Sequence, residues 1–438
     1  MAGSSDRICA IATPPGRGGV GVVRISGSDL GELPQRLIGG LPEPRRARLV
    51  TVRGADGEAI DTGLALYFPA PQSFTGEHVL ELQLHGSPVV LELVLRACVE
   101  AGGRRAGPGE FSQRAFLNDK LDLAQAEAVA DLIASSSEQA ARAATRSLEG
   151  AFSREVHALA EAVTGLRVWV EAALDFPDED IDFISDGDVD GRIDGLVAQT
   201  EALLARARAG RLLNEGLRVA IVGKPNAGKS SLFNALVRRD AAIVTEVPGT
   251  TRDVVRETVH LAGVPVTLAD TAGLRETRDP VEAEGVRRAR AALAEADLVL
   301  WVVDVTDADA GRRPDADVAV IRIDNKVDLA PAGANEESIA LSATTGQGLA
   351  DLDRAVADAI GLHEGGGGEF TARERHVEQL RASLARLRAA GDVLADSGSG
   401  ELVAEELTRA AEALGEITGQ LHSDELLGRI FSSFCIGK

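Results

Sequence analysis

The chain has 438 residues, 45% of them hydrophobic, which predicts two or three domains that each bury a core. Its formal net charge of −22 argues against binding nucleic acid over a broad surface, so an RNA partner would have to meet a local basic patch. Its apolar runs are too short to cross a bilayer, and no basic segment followed by an apolar stretch opens it. Three scattered cysteines form no disulfide framework. We therefore expect a cytoplasmic protein with no membrane association.

The first part of the chain, residues 1–118, alternates short apolar runs with turns rich in glycine and proline. Runs such as "VGVVRIS" and "HVLELQLH" predict strands, and "PVVLELVLRACVEAG" has helical periodicity and ends in glycine. Residues 119–213 then change character, because long stretches rich in alanine, leucine, glutamate and arginine carry apolar residues at helical spacing. An α/β domain followed by a helical segment is the predicted order.

A second α/β segment occupies residues 214–362, where predicted strands and helices alternate from "LRVAIVG" onward. Such alternation predicts a parallel, doubly wound sheet. Residues 363–438 return to helical character after a "GGGG" linker. The fold class predicted is therefore a multidomain protein that combines α/β and all-α parts, with one α/β module inserted into a discontinuous helical domain.

The inserted module carries a phosphate-binding motif, "GKPNAGKS", at residues 223–230. It fits G-x-x-x-x-G-K-[ST], and it follows a predicted strand and precedes a predicted helix, as this motif requires. Backbone amides of such a loop hold phosphates, its lysine reaches the β- and γ-phosphates, and its serine hydroxyl binds Mg²⁺. The candidate nucleotide-binding residues here are Asn226, Ala227, Gly228, Lys229, Ser230 and Ser231.

Three further motifs follow in the order found in GTPases. "DTAG" ends a strand and would place Asp270 near Mg²⁺, while "NKVD" ends a later strand. Resemblance to the GTPase superfamily implies that Asp328 accepts the two N–H groups of guanine, which adenine does not offer on that edge. The candidate residues of these motifs, with those of the supporting "SAT" loop, are Asp270, Thr271, Ala272, Gly273, Asn325, Lys326, Asp328, Ser342 and Ala343.

A switch segment, "VTEVPGTTRD", lies between the first two motifs, with Thr251 as the candidate Mg²⁺ ligand. Its candidate nucleotide-binding residues are Thr245, Glu246, Val247, Pro248, Gly249, Thr250 and Thr251. Leu274 stands where Ras-like proteins place a glutamine that orients water, and no arginine finger is evident. These features resemble the GTPases that bind K⁺ beside the phosphates, which implies a K⁺ site made by Asn226, Thr245, Val247 and Thr250.

The whole chain resembles the MnmE (TrmE) family of tRNA modification GTPases, through "IATPPGRGGVGVVRISG", "GEFSQRAFLNDKLDLAQAEA", "DFPDEDIDF" and the terminal "FSSFCIGK". The resemblance implies a tetrahydrofolate-binding, dimerising N-terminal domain, a discontinuous helical domain and an inserted Ras-like G domain. It also implies a homodimer that joins an FAD-containing MnmG (GidA) partner in a heterotetramer or larger complex. That complex would act on tRNA and add an aminomethyl or carboxymethylaminomethyl group to C5 of the wobble uridine, U34. The one-carbon unit would come from 5-formyl- or 5,10-methylene-tetrahydrofolate.

The same resemblance implies roles for further residues. Arg24, Glu81, Lys120 and Lys438 match the family's folate contacts, and Glu282 matches its candidate for activating water. Cys435 lies beside the terminal lysine, either as a catalytic thiol or as a small buried residue. Two positions depart from the expected "LQGHGG", because Leu84 and Ser87 stand where glycines are expected. These side chains put the loop geometry near the folate site in question, since glycine adopts φ values that they do not.

Two alternatives remain open. One is an Era- or Der-like regulatory GTPase that binds RNA or a ribosome without modification chemistry, because a G domain alone does not define a reaction. The other is a structural dimer that keeps its GTPase motifs as a vestige. The positions of the lysines favour a protein that binds its ligands over a vestigial one. The chain has only five lysines, and Lys120, Lys229, Lys326 and Lys438 all fall at candidate ligand positions.

Overall fold

The computed structural model describes residues 6–175, 188–241, 259–269, 296–307, 311–316, 318–330, 338–361, 369–420 and 423–437. The chain divides into two compact units. One unit contains residues 1–130 together with 415–438, and the other contains residues 131–414. Both ends of the chain therefore belong to the same unit.

The first unit is built on a mixed six-stranded sheet. Its strands, in chain order, are β1 (Ile8–Ile11), β2 (Gly18–Gly27), β3 (Arg48–Arg53), β4 (Ala59–Phe68), β5 (His78–Gly86) and β6 (Arg104–Arg105). Their order across the sheet is β3-β4-β5-β2-β1-β6, and every neighbouring pair is antiparallel except β1 with β6. The helices of this part of the chain are α1 (Leu33–Ile38), α2 (Pro88–Glu100), α3 (Glu110–Leu117) and α4 (Leu123–Ala134).

Alternation along the strands gives the sheet two apolar faces. Val23, Ile25, Leu80 and Leu82 are fully buried on one face, in a cluster that includes apolar residues of α2. Helix α2 begins at Pro88, where proline's missing N–H costs nothing because first-turn donors have no intrahelical acceptor. The opposite face carries a smaller cluster of buried side chains. That smaller cluster consists of Ile8, Ala10, Ala106 and Phe111, with Phe74 packed against it.

The last helix, α12 (Asp424–Ser432), completes the first unit. Ser423 caps it by accepting a 3.2 Å hydrogen bond from the Leu426 amide, which satisfies a donor of the first turn. Its apolar face packs on α4 in a cluster of buried residues. The buried members of this cluster are Leu123, Ala126, Leu427, Ile430, Phe431 and Phe434. Beyond the helix, Ile436 forms an antiparallel bridge with Pro108.

The second unit contains a helical part. Besides the last residues of α4, its helices are α5 (Glu138–Leu148), α6 (Ala151–Asp175), α7 (Val189–Glu215), α10 (Glu374–Ser397) and most of α11 (Gly400–Thr418). Buried Ser147 on α5 ties the segment before α10 in place, because its hydroxyl accepts a 2.8 Å hydrogen bond from the Thr371 amide. Gly210 on α7 allows this close packing, since a Cβ there would lie 2.5 Å from the Phe370 carbonyl oxygen.

The second unit also contains the second sheet. Its strands are β7 (Leu217–Val222), β8 (Val259–Leu261), β9 (Val264–Ala269), β10 (Leu298–Asp304), β11 (Ala319–Asn325) and β12 (Ser338–Leu341), accompanied by helices α8 (Lys229–Ala241) and α9 (Leu349–Ala359). The strand order is β12-β11-β10-β7-β9-β8. All pairs are parallel except β8 with β9, which form a hairpin.

The fold class predicted from the sequence is confirmed, with local differences. The second sheet is mixed, because the short strand β8 pairs antiparallel with β9. Leu84 lies inside β5, and Ser87 has φ −89°, so neither position needs glycine. In the parts of the chain that the structure describes, none of the helices is long and apolar enough to span a membrane.

Candidate functional site

Four parallel strands of the second sheet end at one edge. Asp304, at the end of β10, pairs in register with Asn325 at the end of β11, and Asn325 pairs with Leu341 at the end of β12. Strand β7 is followed in the chain by β8 and β9, which lie on one side of it, and then by β10, which lies on its other side, so the strand order reverses at β7. Open α/β sheets bind ligands at the carboxyl ends of their strands, at such a switch point. The phosphate-binding motif follows β7 at this position.

The loop between β7 and α8 needs glycine at two positions. Gly223 has φ 152°, and a Cβ there would lie 2.2 Å from the Val302 carbonyl oxygen. Gly228 has φ 96°, and a Cβ there would lie 2.1 Å from Nδ2 of Asn325. Asn226 is also left-handed, at φ 64°, a region that asparagine tolerates better than most residues. The two glycines thus bring the loop's backbone against the neighbouring strands.

Lys229 opens α8 and reaches back over this loop. Its Nζ donates 2.8 Å hydrogen bonds to the carbonyl oxygens of Gly223 and Lys224. Burial lowers the pKa of this ammonium, because it loses solvation for its charged form. A polyanion at the N-terminal end of α8 would offset that loss, because its negative charge would lie beside the ammonium. Helix N-termini and free backbone amides also favour negative charge at this position. The arrangement is therefore suited to phosphate.

Asn325 joins the phosphate loop to the base-binding motifs. Its Nδ2 donates a 2.9 Å hydrogen bond to the Ala227 carbonyl oxygen, and its Oδ1 accepts a 3.1 Å hydrogen bond from the Ala343 amide. The side chain is buried, so both bonds satisfy groups that water does not reach. Three separate segments of the chain consequently meet at one amide group.

Lys326 is positioned by an acidic residue that sequence reasoning missed. Its Nζ lies 2.5 Å from Oδ2 of Asp304, and its own backbone is left-handed at φ 69°. Burial alone would raise the pKa of Asp304, but hydrogen bonds from Lys326 and Thr306 outweigh it and lower the pKa. The sequence did contain one indication of a role for Asp304: it is the last residue of the strand "LVLWVVD", just as Asn325 is the last residue of its own strand.

The remaining base-binding residues surround the same edge. Asp328 is exposed, which leaves its carboxylate accessible to a ligand. Ser342 is buried and closes a turn, because its amide donates a 3.0 Å hydrogen bond to the Gln347 carbonyl and its hydroxyl accepts one of 3.2 Å from the Thr345 amide. Ser230 and Ser231 are exposed at the start of α8. Lys224, without a role in the sequence analysis, lies 3.4 Å from Asp307.

Several predicted site residues lie outside the described ranges. They are Thr245, Glu246, Val247, Pro248, Gly249, Thr250, Thr251, Asp270, Thr271, Ala272, Gly273, Glu282 and Lys438. Their roles stay predictions.

The first unit brings two of the predicted folate residues together. Arg24 on β2 and Glu81 on β5 are direct cross-strand neighbours, and their side chains form a 2.9 Å ion pair. The Arg24 guanidinium also lies over two aromatic rings, 5.6 Å from the centroid of Phe74 and 5.8 Å from that of Phe111. Both rings were absent from the sequence prediction. A carboxylate beside a guanidinium and aromatic faces can bind a flat ligand that carries hydrogen-bond donors.

The end of the chain reaches the strand next to Arg24. Gly437 has φ 95°, and a Cβ there would lie 2.4 Å from the carbonyl oxygen of Ile11, the last residue of β1. The preceding residue of β1, Ala10, is the direct neighbour of Arg24. Cys435 is exposed, which does not fit the second of its two alternatives, a small buried residue, and its carbonyl oxygen accepts a 3.3 Å hydrogen bond from the Gly109 amide. The tail therefore packs on β1 of the first unit.

Lys120 is exposed, in the turn between α3 and α4. Its amide donates a 2.8 Å hydrogen bond to the Ala115 carbonyl oxygen. Its Cγ would lie 3.2 Å from a Cβ on Gly76, so this stem packs against the segment that carries Phe74.

A phosphate loop at the switch point, hydrogen-bonded to Asn325 of the "NKVD" motif, defines the class: a P-loop protein with a Ras-like G domain. Residues 7–120 match the family described as GTP-binding protein TrmE N-terminus, and residues 123–435 match the MnmE helical domain. The chain belongs to the MnmE family of tRNA modification GTPases.

The similarity to curated relatives covers the full chain. It is 53% identical to the tRNA modification GTPase MnmE of Methylococcus capsulatus, over 99% of each chain. It is 51% identical to the protein of the same name from Yersinia pseudotuberculosis, over 99% of this chain and 100% of the relative. Among solved structures, an Aquifex aeolicus Era variant bound to GDP.AlF4- is 25% identical, covering 39% of this chain and 66% of that chain, with a TM-score of 0.24.

Proposed function

We propose that this protein hydrolyses GTP as part of an enzyme that modifies the wobble uridine of tRNA. The observation that carries the proposal is the 53% identity over 99% of both chains to a relative named as a tRNA modification GTPase. An Era- or Der-like role would be compatible with the G domain alone. It is disfavoured because residues 7–120 match the TrmE N-terminus rather than an RNA-binding module.

In this proposal, the nucleotide occupies the carboxyl edge of the second sheet. The Asp328 carboxylate accepts two guanine N–H groups, while Lys326, held by Asp304, packs beside the base. The P-loop amides and the Lys229 ammonium stabilise charge on the phosphates. Asn325 holds the base loop and the phosphate loop at a fixed separation, which favours one bound geometry.

Mg²⁺ and K⁺ are the cations proposed for the nucleotide site. The hydroxyl of exposed Ser230, with Thr251 and Asp270, would hold Mg²⁺, and exposed Asn226, with Thr245, Val247 and Thr250, would hold K⁺. Hard cations of this kind prefer hydroxyl, amide and carbonyl oxygens, and they would supply positive charge beside the phosphates. Glu282 is the proposed residue that orients or activates the attacking water.

The first unit is proposed to bind a 5-formyl- or 5,10-methylene-tetrahydrofolate. Glu81 would accept pterin donors, and Arg24 would pair with Glu81 while its guanidinium stacks on Phe74 and Phe111. Lys120 and Lys438 would pair with the anionic tail of the folate. Cys435, exposed beside the tail, would face the one-carbon unit.

The proposed assembly is a cytoplasmic homodimer that works with an FAD-containing MnmG-type partner in a heterotetramer or larger complex. In it, tRNA would receive an aminomethyl or carboxymethylaminomethyl group at C5 of U34. The decisive experiment is nucleoside analysis of tRNA from a strain that lacks this protein. We expect unmodified U34 in a subset of tRNAs, restored by the gene on a plasmid. Unchanged wobble uridines would refute the proposed function.

A further inference from the structure

A hairpin of the second sheet contacts a helix outside the G domain. Strands β8 and β9 are joined by Ala262 and Gly263, whose φ values of 53° and 76° form a two-residue turn of the kind that suits hairpins. The Gln139 side chain, on α5, lies directly over this turn. A Cβ at Gly263 would lie 2.3 Å from Gln139 Oε1. Next to it, Nε2 of His260 lies 3.3 Å from the Ser136 hydroxyl.

Buried apolar side chains lie beneath this polar contact between α5 and the hairpin. Ala143, one turn after Gln139 on α5, is fully buried and belongs to the same hydrophobic cluster as Leu261 and Val264 of the hairpin. On its other side, the hairpin is held by helices α8 and α9 of the G domain. Arg239, near the end of α8, donates a 3.0 Å hydrogen bond to the His260 carbonyl oxygen, and Asp353 accepts one of 3.2 Å from the Ala262 amide.

Along the chain, the hairpin stands between two segments that are predicted to sense the nucleotide. The switch segment, residues 244–253, precedes β8 in the chain, and Asp270 directly follows Ala269, the last residue of β9. Helix α8, which begins at the P-loop lysine, holds the hairpin through Arg239. These segments are joined to the hairpin along the chain or, for α8, by the Arg239 hydrogen bond, so a change in them on exchange of GTP for GDP would have a direct link to it.

The chain's two connections to the second sheet are held together at a different place. The chain enters β7 after Glu215, and it returns to α10 at Glu374, whose amide donates a 3.1 Å hydrogen bond to Glu215 Oε1. Arg211 pairs with Glu374 at 2.9 Å and with Asp297, just before β10, at 3.1 Å. The hairpin contact with α5 involves none of these residues.

We propose that the β8–β9 hairpin and the start of α5 form a coupling contact that transmits the nucleotide state to the helical part, with Gln139 as its positioning residue. The inference rests on the proposed function, because it requires binding of GTP and GDP. A contact that differs between two states must, by linkage, shift the affinities of the two nucleotides unequally when it is removed. A merely structural contact would weaken both affinities equally or leave both unchanged.

The test uses the full-length protein and measures Kd for GDP and for GMPPNP, a GTP analogue that is not hydrolysed. In Gln139→Ala we expect the ratio of the two Kd values to change by about 5-fold, the lower end of typical coupling between sites. Ser136→Ala, which loses the His260 contact and keeps Gln139, should change the ratio in the same direction. Arg142→Gln is the matched control, since Arg142 is exposed on α5 and pairs with Glu138 of the same helix.

Hydrogen exchange of α5 provides a second readout. In the unaltered protein, we expect α5 amides to exchange at different rates with GDP and with GMPPNP, and Gln139→Ala should remove that difference. A Kd ratio that stays the same in both Gln139→Ala and Ser136→Ala would overturn the coupling contact. If the unaltered protein bound neither nucleotide, the proposed function itself would fail, which distinguishes the two results.

Discussion

Nδ2 of Asn325 donates a 2.9 Å hydrogen bond to the carbonyl oxygen of Ala227, so the residue that opens the base-binding motif also holds the phosphate loop. In Asn325→Asp, the donor becomes an oxygen that faces this carbonyl, while the acceptor for the Ala343 amide is kept. Leaving a buried polar group unsatisfied costs about 1–3 kcal/mol, so we expect GTP and GDP affinity to fall at least ~10-fold.

Titration with a fluorescent GDP analogue measures this effect. Asp351→Asn is a suitable control, because Asp351 is exposed on α9 and pairs with Arg354. Equal affinity in Asn325→Asp and in the unaltered protein would show that the bond to Ala227 does not hold the site together.

Glu282→Ala tests the proposed water-activating residue. General acid–base groups contribute typically 10²–10⁴-fold, so we expect GTP hydrolysis to slow by at least ~100-fold while GTP affinity stays near that of the unaltered protein. Single-turnover hydrolysis and nucleotide binding are measured on the same preparation, with Glu405→Ala, an exposed glutamate of α11, as control. A normal hydrolysis rate would remove Glu282 from the mechanism.

Exchange of K⁺ for Na⁺ tests the proposed cation site. At constant ionic strength, we expect GTP hydrolysis to be at least ~10-fold faster in K⁺, because the cation supplies charge where no arginine finger is evident. Asn226→Ala should remove most of this difference while the protein still binds GTP. Equal rates in the two salts for the unaltered protein would contradict the K⁺ site.

Gly437→Ala tests the seating of the tail on β1. A Cβ at this position would lie 2.4 Å from the Ile11 carbonyl oxygen, and φ 95° disfavours alanine, so the substitution should displace the last residues. We expect loss of wobble uridine modification in a complemented strain and an unchanged rate of GTP hydrolysis in the purified protein.

Ile436→Ala is the matched control for the tail. Ile436 pairs with Pro108 through its backbone and its side chain is 58% exposed, so this change keeps the bridge. Normal modification in Gly437→Ala would show that the tail's position on β1 is not needed.

Glu81→Gln tests the proposed folate site. The substitution keeps the shape but removes the charge that pairs with Arg24 and that would accept pterin donors. Charge-assisted hydrogen bonds are about twice as strong as neutral ones, so we expect calorimetry to show affinity for 5-formyl-tetrahydrofolate reduced at least ~10-fold. Glu92→Gln, on exposed α2 surface beside Arg105, should bind as the unaltered protein does. Unchanged folate affinity in Glu81→Gln would place the ligand elsewhere.

The strands of the nucleotide module were predictable, because continuous apolar runs such as "LVLWVVD" are typical of strands buried on both faces of a parallel sheet. Strand β8 was missed, since the three residues "VHL" carry no periodicity and gain their partner only through the turn at Ala262 and Gly263. Strand β3, "RLVTVR", was missed for a different reason: at the sheet's edge it exposes Leu49, which breaks the apolar pattern.

The motifs of the candidate site were predictable, but the contacts that hold them were not. "GKPNAGKS" predicts a phosphate-binding loop and "NKVD" predicts a base-binding loop from local sequence alone. The hydrogen bond from Asn325 to Ala227, in contrast, depends on β7 and β11 both flanking β10. The rings of Phe74 and Phe111 reach Arg24 from separate segments, so no local spacing relates them. Cross-strand pairing of Arg24 with Glu81 likewise depends on register, which the hydrophobic pattern sets only after the sheet has formed.

The place of α12 in the first unit has a consequence during protein synthesis. Leu427, Ile430 and Phe431 cover the apolar side of α4, yet they are translated after the whole second unit. At about 5–20 residues per second, Leu123 and its neighbours wait roughly 15 to 60 s for this cover. During that interval the apolar side of α4 lacks the cover that it has in the folded protein. An N-terminal fragment that ends within the G domain would therefore leave these apolar residues uncovered and be prone to aggregation.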